Sequence, residues 1–305
     1  MSAKSNAPPL AGVLAAFAAV YLIWGSTYLA IRFAIETLPG FLMAGVRFSI
    51  AGALLFAWTQ ARGAARPTGA QWKTAAVMGA LMLLGGNGGV VWATEKVPSG
   101  IVALLVATVP LWMVLLDWAY GTGPRPSARV VLGLALGFAG AVLLVGPDAV
   151  GAADLVDPVR GLVALGASVS WAAGSIYARR APQPKSPLVA TAGQMMLGGL
   201  FLLLLGLGTG EAAEVNPAGF STLSVASLGY LIVFGAIVGY SAYVWLLRVS
   251  TAARVSTYAY VNPVVAVFLG WLLASEPVTP RVLLAAAIIV AGVAVITSER
   301  TRPTR

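Results

Sequence analysis

The sequence predicts an all-α integral membrane protein, with ten transmembrane helices arranged as two inverted five-helix repeats around a central cavity. Three observations carry this: apolar blocks of membrane-spanning length, loops whose charge alternates along the chain, and an internal repeat. Of 305 residues, 59% are hydrophobic and only 10% charged, whereas soluble proteins carry about a quarter charged residues. The apolar blocks run to about 20 residues, which at about 1.5 Å per residue crosses a hydrocarbon layer about 30 Å thick.

The first block begins near Leu10 after a short polar start carrying Lys4 and continues into Arg32 without a small-residue cleavage site, so it reads as a helix and not a signal peptide. Apolar runs bounded by Pro, Gly and charged residues place the helices at 11–31, 40–60, 72–92, 99–119, 128–146, 159–178, 188–208, 223–247, 254–273 and 282–298. No loop between them is long enough for a soluble domain.

The loops alternate in sign. Even-numbered loops and both termini hold most of the basic residues, among them Lys4, Arg62, Arg66, Arg125, Arg179, Arg180, Lys185, Arg254 and Arg300. Odd-numbered loops hold Arg32, Lys96, Arg160 and Arg281 but collect Glu36, Glu95, Asp148, Asp154, Asp157, Glu211, Glu214 and Glu276. Basic loops stay on the cytoplasmic side, so both termini are expected there. The net charge of +9 is therefore a topology signal, and no nucleic-acid partner follows from it.

The repeat appears as paired segments about 150 residues apart. Gly25-Ser26-Thr27-Tyr28 matches Gly174-Ser175-Ile176-Tyr177, and Pro39 with Ala44-Gly45 matches Pro187 with Ala192-Gly193. Trp92 pairs with Trp245, Ala107 to Trp112 with Tyr260 to Val265, Trp118 with Trp271, and Arg129 to Leu144 with Arg281 to Ile296. The expected divisions are a cytoplasmic tail over 1–10, one repeat over 11–146, a periplasmic connection over 147–158, a second repeat over 159–298, and a cytoplasmic tail over 299–305. Five is an odd number of crossings, so the second copy enters from the opposite side of the membrane. Inverted repeats place a binding site near the midplane between the copies and permit alternating access.

The run Tyr-Leu-Ile-Trp-Gly-Ser-Thr-Tyr at 21–28, Ala-Gly-Val-Arg-Phe at 44–48, the proline-centred fourth and ninth helices and the closing Ala-Gly helices together resemble the drug/metabolite transporter superfamily, and within it the ten-helix EamA-type exporters. The resemblance covers essentially the whole chain. It implies a carrier in the bacterial inner (plasma) membrane that exports amino acids or other small metabolites, needing no cofactor beyond its small-molecule substrate and the lipid bilayer. A monomer is the expected unit.

Several residues are candidates for the lining. Trp24, Thr27 and Tyr28 share a face of the first helix, and Trp171 and Ser175 share one of the sixth. Such walls suit a molecule with an apolar body and few polar atoms, although Tyr28 and Tyr177 also fit an interfacial belt. Pro110 and Pro263 are candidate paired hinges, since each frees a carbonyl, at Val106 and Ala259; a simple packing kink is the alternative. Asn262 and Tyr258 bring polar atoms beside Pro263. Gly85-Gly86-Asn87-Gly88-Gly89 weakens the third helix, with Asn87 facing either the cavity or a tight helix contact.

Arg47 is a charge well inside an apolar span, which marks it as a possible partner for a substrate carboxylate; snorkelling and capping of helix-end carbonyls are the alternatives. Asp117, at the end of the fourth helix, is the one acidic residue inside a predicted span. With no carboxylate or His near the midplane, facilitated diffusion or weak proton coupling is expected. Cys and His are absent, so thiolate nucleophiles, imidazole bases and the usual soft-metal sets are missing, and with no central carboxylate pair the chain is not expected to be an enzyme or to bind a metal. Small neutral or zwitterionic metabolites, foremost amino acids including aromatic and hydrophobic ones, fit this lining. A broad exporter of amphipathic drugs or toxic metabolites is the alternative, and a channel a further one.

Overall fold

A computed structural model describes residues 10–120, 126–145, 156–249 and 258–298, and all regular structure among them is helical. In chain order the helices are α1 (Leu10–Ala34), α2 (Gly40–Ala61), α3 (Gly69–Thr94), α4 (Ser99–Ala119) and α5 (Ala128–Val145). There follow α6 (Pro158–Ala178), α7 (Pro187–Gly208), two short 3-10 turns, α8 (222–249), α9 (Tyr258–Ala274) and α10 (Pro280–Ser298). Where the predicted ends lie among the described residues, the observed ends fall within a few residues of them. Of the residues behind the sequence expectations, Lys4, Arg125, Asp148, Asp154, Arg254 and Arg300 lie outside the described residues, as do most of both tails and of the 147–158 connection.

Among the described residues, seven helices are long and apolar enough to cross a membrane, and three shorter apolar stretches accompany them, at Ala128–Leu144, Val261–Ala274 and Pro280–Ile296. Local signals set the ends. Thr68 and Gln71 form a reciprocal capping box at the start of α3, and Asp157 accepts from the Arg160 amide at the start of α6. Two helices contain wide π-type turns, at Gly79–Gly88 in α3 and Leu231–Val238 in α8. These occupy corresponding places, each in the third helix of its half. α4 is interrupted at Ala107 and Thr108, just before Pro110, whereas α9 continues unbroken through Pro263.

The packing shows how the halves relate. α2 lies along α7 and α5 along α10; α1 packs on α8 and α9, while α6 packs on α3 and α4; α4 meets α9. Exchanging every helix for the one five places on converts this set of pairs into itself. The long interfaces join the two halves, so neither half has a core of its own: Phe48, Leu83 and Leu105 are buried together with Leu202, Leu231 and Ile289.

Small residues permit the closest approaches. A Cβ at Gly292 of α10 would stand 2.7 Å from the Gly133 carbonyl oxygen and the Gly137 amide of α5, and one at Gly199 of α7 would stand 2.6 Å from the Ser49 amide of α2. On the outer faces, Leu14, Leu54, Trp58, Val142, Leu204, Phe268 and Trp271 are exposed. In water this would be a large apolar surface; in a bilayer it is the lipid face.

Candidate functional site

Two aromatic junctions between the halves stand in corresponding places. At the first, Trp24 of α1 rests on the π-type turn of α8, its indole N–H donating to the Gly235 carbonyl at 3.2 Å. Tyr240, Tyr243 and Tyr258 surround its ring, with centroids 5.4, 5.1 and 5.3 Å away. Ser26 and Tyr230 share a hydrogen bond of 2.7 Å, and the Thr27 methyl lies against Gly235. At the second, α6 rests on the π-type turn of α3: the Ser170 hydroxyl donates to the Leu81 carbonyl at 2.7 Å, and Trp171 lies against Gly86. A Cβ at Gly85 would stand 2.3 Å from the Ser170 hydroxyl oxygen. The glycine run thus serves close contact with α6, and Asn87 is half-buried within it. π-type turns leave backbone groups poorly matched along the helix and concentrate at functional sites.

The proline-bearing helices are also tied to the first helix of the other half. Ser168 of α6 donates to the Leu105 carbonyl of α4 at 3.3 Å, beside the break at Ala107 and Thr108. Asn262 of α9 is 7% exposed; with its amide oriented so that the nitrogen donates, it reaches the Tyr258 and Tyr21 carbonyls, each at 3.2 Å. Its donors therefore hold α1 against α9.

The structure brings Trp24, Thr27, Tyr258 and Asn262 together at the α1–α8–α9 junction, where Tyr28 is half-buried, and sets Trp171 and Asn87 at the α3–α6 junction. Two hydroxyls spend their protons locally: Thr27 donates to the Trp24 carbonyl at 2.6 Å and Ser175 to the Trp171 carbonyl at 2.8 Å. Pro263 lines an open apolar groove of about 610 Å³ with Phe268, Trp271 and Leu283, on the outer side of α9 and α10.

From sequence, the acids of the odd-numbered loops mark topology, and Glu95, with Asp117 or the substrate itself, is a candidate peripheral proton carrier should transport be proton-coupled. The loop acids are also fasteners. The Glu211 carboxylate, 8% exposed, accepts from the Phe41 and Leu42 amides at 2.9 and 2.8 Å, capping α2 from the other half. Glu276 accepts from the Ser99 and Gly100 amides at 2.7 and 3.0 Å, capping α4 from the other half. Arg160 bonds to Glu95 and the Trp92 carbonyl and covers the Trp92 ring at 3.6 Å. Thr37 accepts from the Ser221 amide at 3.0 Å, Ser224 donates to the Phe33 carbonyl at 2.7 Å, and Arg281 donates to the Leu143 carbonyl at 2.6 Å. All six ties join the two halves at the odd-loop end. A helix N-terminus carries unsatisfied N–H groups and partial positive charge, which is why carboxylates are effective there. At the even-loop end, the described cross-half polar ties include an exposed bond from Gln71 to the Gln183 carbonyl at 3.1 Å and the Arg179–Asp117 pair at 3.5 Å, with Arg179 exposed and Asp117 half-buried.

Arg47 lies about 10 Å along α2 from its start and is 4% exposed, so its head group does not reach water by snorkelling. Phe48 flanks it at 4.5 Å, and a Cβ at Gly235 would stand 3.2 Å from its Nη2. An open depression of about 480 Å³, lined by Glu36, Thr37, Trp92, Glu95, Glu211 and Glu214, caps the odd-loop end.

Comparison with known proteins gives a consistent set of similarities. The sequence profile of the EamA-like transporter family matches this chain twice, over residues 10–146 and 161–298. An Escherichia coli K12 protein named an uncharacterized inner membrane transporter, YedA, is 40% identical over 291 residues, 95% of this chain and 90% of that one. A Bacillus subtilis protein named an uncharacterized transporter, YvbV, is 24% identical over 91% of this chain and 89% of its own length. One crystal structure at 22% identity superposes with a TM-score of 0.62, covering 94% of this chain and 97% of the other, which shows a shared fold.

Proposed function

The chain belongs to the EamA-like transporter family, and from that premise we propose that it is an alternating-access carrier exporting small neutral or zwitterionic metabolites, amino acids with apolar or aromatic side chains foremost. As a family member it is a multi-pass membrane transporter; the mechanism, substrate class and direction are our reading. In it all ten helices cross the bacterial inner membrane, both termini are cytoplasmic, and residues 11–146 and 159–298 are inverted copies that rock about their shared interface as a monomer.

The observation that carries this is the set of polar ties that join the two halves at the odd-loop end. The odd-loop end, periplasmic in this reading, is fastened by six polar contacts, two of them carboxylates capping helices of the opposite half. A channel has no need of such a fastening across a moving interface. The substrate is received between the α1–α8–α9 and α3–α6 junctions, with Trp24, Tyr28 and Tyr258 on one wall, Trp171, Ser175 and Asn87 on the other, and the broken α4 at Pro110 giving local freedom. Pro263 marks the matching place in α9.

Uptake of a labelled amino-acid panel by proteoliposomes tests the reading, with Trp24→Ala and Trp171→Ala as site variants. Saturable uptake of neutral amino acids that falls ~10-fold or more in both variants is expected, since burying a large apolar side chain against the substrate is worth about 1.5–3 kcal/mol. Unchanged kinetics in both variants would refute the site; a preference for amphipathic cations over amino acids would replace the substrate class.

A further inference from the structure

We infer that Arg47 and Tyr240 together receive a single carboxylate of the transported molecule, making that carboxylate an obligatory feature of the substrate. This rests on the transport reading above and assigns the polar half of recognition at that site. Four observations converge. Arg47 is 4% exposed, and its Nε and Nη1 have no hydrogen-bond partner. The Tyr240 hydroxyl is likewise buried and unpartnered, and Tyr240 packs on Trp24, whose indole is bonded to Gly235, the residue that abuts the Arg47 guanidinium. Among the described residues no carboxylate is paired with Arg47. The equivalent place in the other repeat holds Met195, which is buried at 1%, so the packing position as such does not require a cation.

A guanidinium in a membrane span without a counter-ion is costly, and such groups persist where a ligand completes them. Its planar fork matches a carboxylate through two parallel N–H donors, and a phenol adds a third. One cation balances one negative charge, which fits a monocarboxylate better than a phosphate dianion. The location supports this: Arg47 abuts Gly235, whose carbonyl accepts from Trp24, and Tyr240 packs edge-on against the same indole. Anion receptor and aromatic wall are thus parts of one junction, suited to a carboxylate joined by a short link to an apolar group.

Two measurements on the full chain test the inference. The first compares thermal unfolding of wild type and Arg47→Met in detergent without substrate. Removal of an uncompensated buried charge is expected to raise Tm by ~2 °C or more; a fall in Tm would show that Arg47 is a structural tie and overturn the assignment. The second measures uptake of labelled L-phenylalanine in proteoliposomes against unlabelled 3-phenylpropanoate, phenethylamine and L-phenylalaninamide. The acid is expected to compete and the amine and amide to fail, with uptake lost in Arg47→Met and affinity lowered ~10-fold in Tyr240→Phe. Equal competition by the amine overturns the inference. If wild type takes up no L-phenylalanine, the chosen substrate class fails by itself. A Tm rise induced by 3-phenylpropanoate in wild type and absent in Arg47→Met then supports the receptor, and no rise in either overturns it.

Discussion

Removing the Glu276 carboxylate should open the odd-loop end by an amount that can be worked out from its contacts. It accepts from the Ser99 and Gly100 amides at 2.7 and 3.0 Å, at the start of a helix whose first N–H groups have few other partners. Hydrogen bonds to a charged group are worth about 1.5–3 kcal/mol each, and the helix dipole adds about 0.3–1 kcal/mol. Glu276 is half-buried, so water replaces part of this, and a net loss of about 2 kcal/mol is the reasonable figure, roughly a 30-fold shift in an opening equilibrium. Ser99 supplies the probe: it is fully buried, its hydroxyl lacks a partner, and the chain contains no cysteine, so Ser99→Cys is a nearly isosteric single thiol. Alkylation of that thiol by a membrane-impermeant maleimide should run ~10- to 30-fold faster in Glu276→Ala than with Glu276 intact, and Glu276→Gln, which keeps one acceptor, should fall between. Equal rates in all three would mean that the carboxylate fastens nothing.

Other expectations follow from the same contacts. Asn262→Ala should lower thermal stability by about 1–3 kcal/mol, because it leaves the Tyr21 and Tyr258 carbonyls short of a buried donor; an unchanged Tm would place Asn262 in the substrate path instead. Gly292→Ala should destabilise by about 1–3 kcal/mol by forcing α5 and α10 apart. Gly166→Ala, where nothing lies within 4 Å, should be neutral or stabilising by up to about 1 kcal/mol; unfolding in detergent compares the two. Because no acid occupies the middle of a predicted span, substrate addition should drive no inward proton current in proteoliposomes, and a substrate-dependent current would contradict this.

The helices were legible in the sequence because lipid imposes one rule on every span, and their ends are written in Pro, Gly and capping residues such as Thr68 and Asp157. Helical periodicity was enough to group Trp24 with Thr27 and Tyr28 on one face of the first helix and Trp171 with Ser175 on one face of the sixth. Other features were not legible. Trp24 meets Tyr240 and Tyr243 only because α8 returns against α1, a contact between residues more than 200 positions apart that no local pattern encodes. The π-type turns left no trace beyond the glycines, since a wide turn has no residue periodicity of its own. Glu211 and Glu276 were visible as charges on the correct loops, yet their use as caps depends on which helix end faces each loop across the two halves. Arg47 stood out as a buried charge from the outset, while its companion Tyr240 became apparent only when the burial of both polar ends was known.

The central claim is that two halves move against each other to pass a substrate without opening a continuous path. Counterflow tests it most directly. Proteoliposomes loaded with unlabelled neutral amino acid should transiently accumulate the labelled compound above its outside concentration, with saturable and trans-stimulated rates. Flux that rises linearly with concentration and ignores the opposite side would contradict the account and assign the protein a channel-like mechanism.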